Sequence, residues 1–283
     1  MPCGRTRSGD VLQCADWRPR VTLLLLTCAL LGVIAGLLAG LLGVGGGLVI
    51  VPALVWAFLA AGFAEESLIH MAVGTSLATI VLTAVSSVMA HHRRGAVRWG
   101  FVARLTPGVV VGVLAGAGLA DHLDAVSLRR VFGTLEILIA GYMALGVPPP
   151  TSVASPRLVT AGAAGTAIGL ISGLAGIGGG TMTVPLLVHW GVRLQEAIAT
   201  SAAVGLPIAL AGTLGFAVAG ADAQLPPWSV GYVYLPAVLG VVPTSTLLAP
   251  LGARLAHRLP TVMLRRSFAA FLTLVGAKML LGV

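Results

Sequence analysis

The chain has 283 residues, of which 57% are hydrophobic and only 9% are charged. Soluble domains carry about 25% charged residues, so this composition excludes a soluble globular protein of this size. The net charge of +8 comes largely from arginines in short loops between apolar runs. That pattern is typical of membrane-protein orientation, and without a basic surface that carries interleaved aromatic residues it predicts no nucleic-acid partner.

A basic tail, residues 1–20, opens the chain. Its arginines precede an apolar run that continues into a glycine-rich stretch without a cleavage site, so we interpret the run as a retained first helix rather than a signal peptide. The cysteines Cys3, Cys14 and Cys28 show no paired spacing and have no nearby histidine. They predict neither a disulfide framework nor a metal site.

Apolar segments then follow one another at membrane-spanning length, about 20 residues for each crossing. They fall into a first set (21–147) and a second set (158–283), separated by a proline-rich linker (148–157). The segments are 21–43, 48–62, 68–90, 100–120 and 128–147, then 158–176, 181–191, 197–220, 229–251 and 266–282. This organisation predicts an all-α, multi-pass protein of the cell membrane with about 8–10 membrane segments.

The two sets are homologous. The stretch GLLAGLLGVGGGLVIVP at 36–52 matches GLISGLAGIGGGTMTVP at 169–185, with six glycines and one proline at the same offsets. The match extends to AVGTSLA (72–78) against AIATSAA (197–203), and to LRRVF (128–132) against LRRSF (264–268). A spacing of about 130 residues is too long for a solenoid unit, so it indicates two halves of the kind found in transporters.

Matching loops of the two halves carry opposite charge. The loop at 91–99 is basic and its counterpart at 221–228 acidic, whereas 121–127 is acidic and 252–263 basic. The residues that set these signs are Arg93, Arg94 and Arg98, Asp222, Asp121 and Asp124, and Arg254 and Arg258. Because positive loops face the cytoplasm, this opposition predicts inverted repeats. The basic tail fits this topology only if the first glycine region is re-entrant or the tail violates the rule.

The clustered glycines predict broken or re-entrant helices, which we call the first elbow (43–47) and the second elbow (176–180). Each glycine costs a helix about 1 kcal/mol relative to alanine, and unwound backbone at membrane depth requires a protein or water environment. The exposed N–H groups of the following half-helix would attract an anion. The predicted substrate site comprises Gly43, Gly45, Gly46, Gly47, Gly176, Gly178, Gly179, Gly180, Thr181, Thr75, Ser76, Thr200 and Ser201. The GxxxG pairs Gly36/Gly40 and Gly169/Gly173 are interpreted as helix-packing residues.

Charged residues inside the apolar segments are few. Glu136 lies in the middle of a segment, and the repeat aligns it with Leu272, so it breaks the symmetry. An intramembrane carboxylate is costly, which makes Glu136 the candidate for proton coupling, with a structural ion pair as the alternative. Lys278 is either its partner or an interfacial side chain. Histidines at the segment boundaries, among them His70 and His91, are interpreted as solvated.

The paired glycine motif in a small multi-helix protein resembles the TauE/SafE sulfite exporter family, also called the toluene-sulfonate uptake permeases, over residues 21–283. The resemblance implies a secondary transporter of sulfite, sulfonate or a related sulfur-containing anion, with no cofactor or metal. The alternatives are a channel-like anion conduit and an intramembrane hydrolase built on Ser172, although no acidic protease pair is present and no enzyme is expected. The expected partners are the anion and the lipid bilayer. The sequence does not decide between a monomer and a homo-oligomer.

Overall fold

The computed structural model describes residues 17–42, 46–145, 156–256 and 261–281. Within these residues the chain forms ten helices and one two-stranded hairpin. They are α1 (Trp17–Leu42), α2 (Gly47–Ala60), α3 (Glu65–His92), α4 (Trp99–Asp121), α5 (Ala125–Leu145), α6 (Leu158–Ala175), α7 (Gly180–His189), α8 (Leu194–Ala219), β1 (Ser229–Val230), β2 (Val233–Tyr234), α9 (Leu235–Ala256) and α10 (Thr261–Leu281).

Five of the described helices are long and apolar enough to cross a membrane, namely α3, α4, α6, α8 and α9. Shorter apolar stretches occur in α1, α2 and α10. Large apolar side chains such as Leu214, Leu239 and Leu247 are exposed on the outside of the bundle, where lipid would cover them. The predicted polytopic helical architecture is therefore confirmed.

Glycine-lined contacts join the first helix of each set to the fourth helix of the other. Along α1, Gly32, Gly36 and Gly40 approach the α9 backbone near Val241, Ser245 and Ala249, in the same order. Along α4, Gly108, Gly112 and Gly116 approach α6 in the same way. Both pairs therefore run parallel, and the GxxxG glycines act in helix packing as predicted, since a Cβ at any of them would overlap the facing backbone.

The third helices of the two sets pack on each other at the centre, and they are antiparallel. Gly74 of α3 faces Phe216 of α8, while Leu77 faces Gly212. The fifth helices, α5 and α10, are antiparallel as well, because Gly133 lies against Leu280 while Ile137, one turn further along α5, lies against Gly276. Helices that correspond in the sequence repeat therefore run in opposite directions where they meet.

The bundle has two ends that differ in charge. At the first end, His70 near the start of α3 lies beside the end of α4, where its Nε2 is 3.0 Å from the carbonyl oxygen of Ala120. At the second end, Arg94 donates to the carbonyl of Ala253 at the end of α9. The first end carries Glu65, Glu66, Asp121, Asp124 and Asp222 together with Arg129 and Arg130, whereas the second carries Arg93, Arg94, Arg98, Arg157, Arg193 and Arg254 together with Glu196, so the excess of arginine lies at the second end.

The start of the predicted segment 229–251 is not helical. Residues 229–234 form the hairpin β1–β2, in which Val230 pairs with Val233, and α9 begins only at Leu235. Positive φ angles at Trp228 (71°) and Gly231 (51°) turn the chain here. Gly231 also lies directly against the backbone of Ala217, so a Cβ would not fit. Apolar composition alone does not reveal this turn.

Candidate functional site

Both glycine stretches interrupt a helix in the interior of the bundle. The first helix ends at Leu42 and α2 begins at Gly47, and α6 ends at Ala175 before α7 begins at Gly180. The residues that precede the new helices, Gly46 and Gly179, have φ angles of 79° and 72°. Such angles cost an L-residue about 1–2 kcal/mol, so glycine is needed for the backbone conformation.

The half-length helices α2 and α7 begin beside the middle of the helices that precede them. A Cβ on Gly46 would lie 2.9 Å from the carbonyl oxygen of Ala35, which is well inside α1 and not at its end at Leu42. A Cβ on Gly179 would lie 3.5 Å from a methyl carbon of Ile168, at the equivalent place on α6. The chain therefore folds back at each elbow, and both half-helices start at mid-depth.

The two elbows meet at the centre. Gly47 faces the carbonyl of Gly176, and a Cβ there would also come within 3.0 Å of the Cα of Ile177. The Ser76 hydroxyl donates a hydrogen bond to the same Gly176 carbonyl at 2.9 Å. The backbones of the elbows thus touch, which no residue larger than glycine would allow at Gly47.

The first N–H groups of both half-helices are available to a ligand. The first helical hydrogen bonds of α7 are donated by Met182 and Thr183 to the carbonyl of Gly179, and α2 starts in the same way from Gly46. The N–H groups of Gly180 and Thr181 donate to no backbone carbonyl among the described residues. Both residues are buried. Helix N-termini of this kind are favourable sites for anions.

Thr75 and Thr200, which are predicted as substrate ligands, bind the opposite half of the bundle in this structure. The Thr75 hydroxyl accepts a hydrogen bond from the Tyr234 N–H at 2.9 Å, at the start of α9. The Thr200 hydroxyl accepts one from the Arg98 N–H at 3.0 Å, at the start of α4. The two bonds correspond to each other in the repeat, because Thr75 aligns with Thr200 and both α4 and α9 are the fourth helix of their set. Each threonine oxygen thus caps a helix of the other half, one at each end of the bundle.

The other predicted site residues lie close to the elbows. Ser201 is buried and donates to the carbonyl of Ile198 in its own helix, in addition to a further contact. Thr181 is buried in the first turn of α7. Gly178 lies against α8, where a Cβ on Gly205 would be 2.7 Å from its carbonyl oxygen. Gly43 and Gly45 lie outside the described residues.

Glu136 is remote from the elbow contacts, in the interface between α5 and α10. Its side chain has 0% exposure, and its Cβ faces Gly276. Neither carboxyl oxygen has a hydrogen-bond partner among the described residues. Lys278 does not pair with it: the Lys278 ammonium lies 4.7 Å from the ring centre of Trp56 on α2. The predicted alternative, a structural ion pair with Lys278, is therefore wrong.

Two boundary histidines are buried, contrary to the interpretation from sequence. His70 reaches the carbonyls of Ala120 and Leu123 at the end of α4. His91 has 0% exposure, and its Nε2 lies 3.3 Å from the carbonyl of Gly40 at the end of α1. Both histidines bind carbonyls at or just beyond the C-terminal ends of helices, and these hydrogen bonds offset part of the cost of burying a polar side chain.

Sequence reasoning missed one residue of the central region, Ser87. It lines a small cavity beside Gly178, between α3 and α8. A signal was present: Thr79, Thr83 and Ser87 recur every four residues and therefore share one face of α3. The matching positions of α8, by contrast, are Val204, Ile208 and Gly212.

Comparisons with known proteins agree with this architecture. The family model of the sulfite exporter TauE/SafE matches residues 28–279. A probable membrane transporter protein of Haemophilus influenzae is 38% identical over 91% of this chain and 98% of its own. A probable membrane transporter protein of Methanocaldococcus jannaschii is 28% identical over 92% and 96%. The probable membrane transporter protein YunE of Bacillus subtilis is 26% identical over 88% and 95%.

No solved structure gives a significant match to this chain. The family model nevertheless covers both halves and both elbows, and the similar proteins align over nearly their full lengths. The chain therefore belongs to the TauE/SafE sulfite exporter family, and it is a multi-pass transporter of the cell membrane rather than an enzyme.

Proposed function

We propose that the protein is a secondary transporter of a small oxyanion, namely sulfite, a sulfonate or a related sulfur-containing anion, that works by alternating access. The observation that carries this proposal is the meeting of two half-helices whose N-termini lie at the centre of the bundle. Their unpaired N–H groups and positive dipole ends match a negative charge, and the surrounding apolar side chains strengthen that interaction. The family description, sulfite exporter, supports the sulfur-containing class.

The two halves, 21–147 and 158–283, form inverted repeats in this proposal. Three observations support the inversion: α3 and α8 are antiparallel, α5 and α10 are antiparallel, and matching loops lie at opposite ends of the bundle. Inversion lets the same fold close at either end by exchanging the conformations of its halves. The equivalent hydrogen bonds Thr75–Tyr234 and Thr200–Arg98 join the two halves at opposite ends of the bundle, and both are formed in this structure.

The second end faces the cytoplasm in this arrangement, because its loops carry the excess of arginine. Arg98 lies there and forms a two-bond ion pair with Glu196, at 2.9 and 3.0 Å. Both elbows are re-entrant, since α2 and α7 each return toward the end from which the preceding helix came. The pairs α1–α2 and α6–α7 therefore add no net crossing in this proposal, and the chain changes sides along α3, α4 and α5 in the first set and along α8, α9 and α10 in the second.

Single cysteines at Arg94 and Asp222 are expected to react with a membrane-impermeant thiol reagent from opposite sides of the membrane. Arg94 follows α3 at the second end, and Asp222 follows α8 at the first end. The measurement compares labelling of intact cells with labelling of inside-out vesicles, in a background without the native cysteines. Labelling of both positions from one side would contradict the inverted arrangement.

The proposed function is tested by a binding and flux panel on the purified, reconstituted protein. Sulfite, thiosulfate, sulfoacetate, sulfate and chloride are each titrated, and proteoliposome flux is measured with and without a proton gradient. We expect binding of at least one sulfur-containing oxyanion and flux that responds to the gradient. A response to chloride alone would contradict the substrate class, and flux that ignores the gradient would favour a channel-like conduit.

A further inference from the structure

The hairpin of residues 229–234 closes the contact between the two halves at the first end of the bundle. It belongs to the second half, and its first tyrosine packs on the first half. The Tyr232 ring stacks on the His70 ring with centres 5.1 Å apart, and the Tyr232 hydroxyl donates to Asp121 at 3.2 Å. A Cβ on Gly74 of α3 would lie 2.8 Å from the Tyr232 carbonyl oxygen, so the backbones are close as well. The hairpin is therefore bound by the half to which it does not belong.

Tyr234 is buried in an aromatic cluster at the end of α2. It is 6% exposed, and its ring centre lies 5.6 Å from that of Phe58 and 5.1 Å from that of Phe63, both edge to face. Its N–H donates to the hydroxyl of Thr75 on α3. The next residue of α3, Ser76, binds the second elbow. Consecutive residues of α3 thus connect the hairpin to the proposed anion site.

A corresponding segment closes the contact between the halves at the second end. Residues 95–98 of the first half correspond to residues 231–234 of the second. Each segment starts at a glycine with a left-handed φ angle, 67° and 51°, and each ends at a residue whose N–H binds a threonine of the other half. The side chains differ, because Ala96 stands in the place of Tyr232, and Arg98 forms an ion pair in the place of an aromatic cluster. The backbone closure is duplicated, whereas the two tyrosines belong to the hairpin alone.

We propose that the hairpin is the gate of the transporter at the first end, and that it opens by withdrawing Tyr232 and Tyr234 from the first half. The proposal rests on the proposed transport function and adds the residues that control access from the side opposite the cytoplasm. Both closures are formed in this structure, so passage at the first end requires the ring contacts and the Tyr234–Thr75 hydrogen bond to break. Each contact is weak enough to break and form again during transport. The left-handed φ of 71° at Trp228, directly before the hairpin, is strained for a non-glycine residue, and such strain is typical of switch segments.

Tyr234→Ala is expected to expose the Cys28 thiol to a membrane-impermeant thiol reagent applied from the side of the first end. Cys28 is buried in α1 with 0% exposure, and it lies close enough to Tyr234 to interact with it electrostatically. The substitution removes both edge-to-face ring contacts, so labelling should become about tenfold faster or more. Cys3 and Cys14 are replaced by serine in every protein compared, so that only Cys28 reacts. The labelling uses no substrate, so it decides the closure independently of the proposed function.

Phe101→Ala is the matched control at the second end. The Phe101 ring stacks on Trp190 with centres 6.0 Å apart, so this variant removes a ring contact between the halves at the opposite closure. It should leave the labelling of Cys28 from the first side unchanged. Phe63→Ala removes one ring contact of Tyr234 and keeps the hydrogen bond to Thr75, so it should give intermediate labelling even if Tyr234→Ala does not fold. Unchanged labelling in Phe63→Ala, or equal labelling in Phe101→Ala, would overturn the gate.

A cross-link tests whether the hairpin must move during transport. Cysteines replace Tyr232 and Asp121 in a background without the native cysteines, and a short bis-maleimide bridges them where the Tyr232 ring lay. After removal of excess reagent, proteoliposome flux is measured with sulfite, thiosulfate or sulfoacetate, whichever the untreated protein carries. Bridging should lower this flux about tenfold or more, whereas the two single-cysteine variants treated in the same way should keep it. Unchanged flux through bridged protein would overturn the gate. If the untreated protein carries none of the three anions, the proposed function fails instead, so the two failures are distinguishable.

Discussion

Gly179→Ala is expected to raise the dissociation constant for the oxyanion about 100-fold while lowering the melting temperature by only a few degrees. The φ angle of 72° at Gly179 sets the direction of the first N–H groups of α7. Alanine at this angle costs about 1–2 kcal/mol and favours a return to negative φ. Two N–H groups, Gly180 and Thr181, would then point away from the anion, and each such bond is worth about 1.5–3 kcal/mol.

The packing cost at this position is small, because the added Cβ meets the terminal methyl of Ile208, which can rotate away. Gly173→Ala is the matched control on the same half. Its Cβ would lie 2.7 Å from the carbonyl oxygen of Val113, and the α4 backbone cannot move without separating two helices. Gly173→Ala should therefore lower the melting temperature more and leave binding by the folded fraction intact. An elbow variant that melts early yet binds normally would refute the anion-binding role of the second elbow.

The equivalent variant of the first elbow, Gly46→Ala, should also weaken binding. Its added Cβ would lie 2.9 Å from the carbonyl oxygen of Ala35, so a larger loss of stability accompanies it. Gly40→Ala is its packing control, because the facing atoms belong to the α9 backbone near Ala249. The comparison of melting and titration across the four variants separates binding from packing in both halves.

Glu136→Gln is expected to abolish the acceleration of substrate flux by a proton gradient, a loss of about tenfold or more in gradient-driven transport. The carboxyl group is fully buried and lacks a described hydrogen-bond partner, and a carboxyl group kept at that cost inside a membrane segment indicates a functional role. In the proposed mechanism it carries the coupling proton. Glutamine keeps the size and cannot exchange a proton.

The protein should remain folded in this variant, because a neutral amide replaces a buried ionisable group. Glu196→Gln is the control: this carboxylate lies at the second end, where it binds Arg98 at the bundle surface. It should leave the gradient dependence of flux unchanged. If Glu136→Gln retains the pH profile of the wild-type protein, Glu136 is not the coupling group.

Much of the architecture follows from local properties of the sequence. Apolar length predicts the membrane helices, because a crossing needs about 20 apolar residues. The repeated glycines predict the two breaks, because clustered glycines do not favour a continuous helix. Spacing of four residues predicts that Gly36 and Gly40 pack against another helix, and the structure confirms it against α9.

Long-range contacts decided the rest. The hydroxyls of Thr75 and Thr200 accept hydrogen bonds from N–H groups 159 and 102 residues away in the chain, directly before α9 and α4, so no local pattern could assign those partners. His70 and His91 are buried where their side chains bind carbonyls at the ends of helices that are distant in the sequence. The hairpin at 229–234 depends on two positive φ angles and on the close approach of Gly231 to Ala217, which composition does not encode.

The sequence by itself determined a polytopic membrane protein with two homologous halves, two glycine elbows and one isolated carboxylate, because composition, period and duplication are local and additive. Only the tertiary structure decided that the elbows touch at Gly47 and Gly176, that Glu136 lacks Lys278 as a partner, and that Ser87 lies beside Gly178. These relations involve residues that are far apart in the chain, and only the packing of the two sets of helices on each other determines them. These contacts form only when many helices pack closely together, so no single segment of the sequence specifies them.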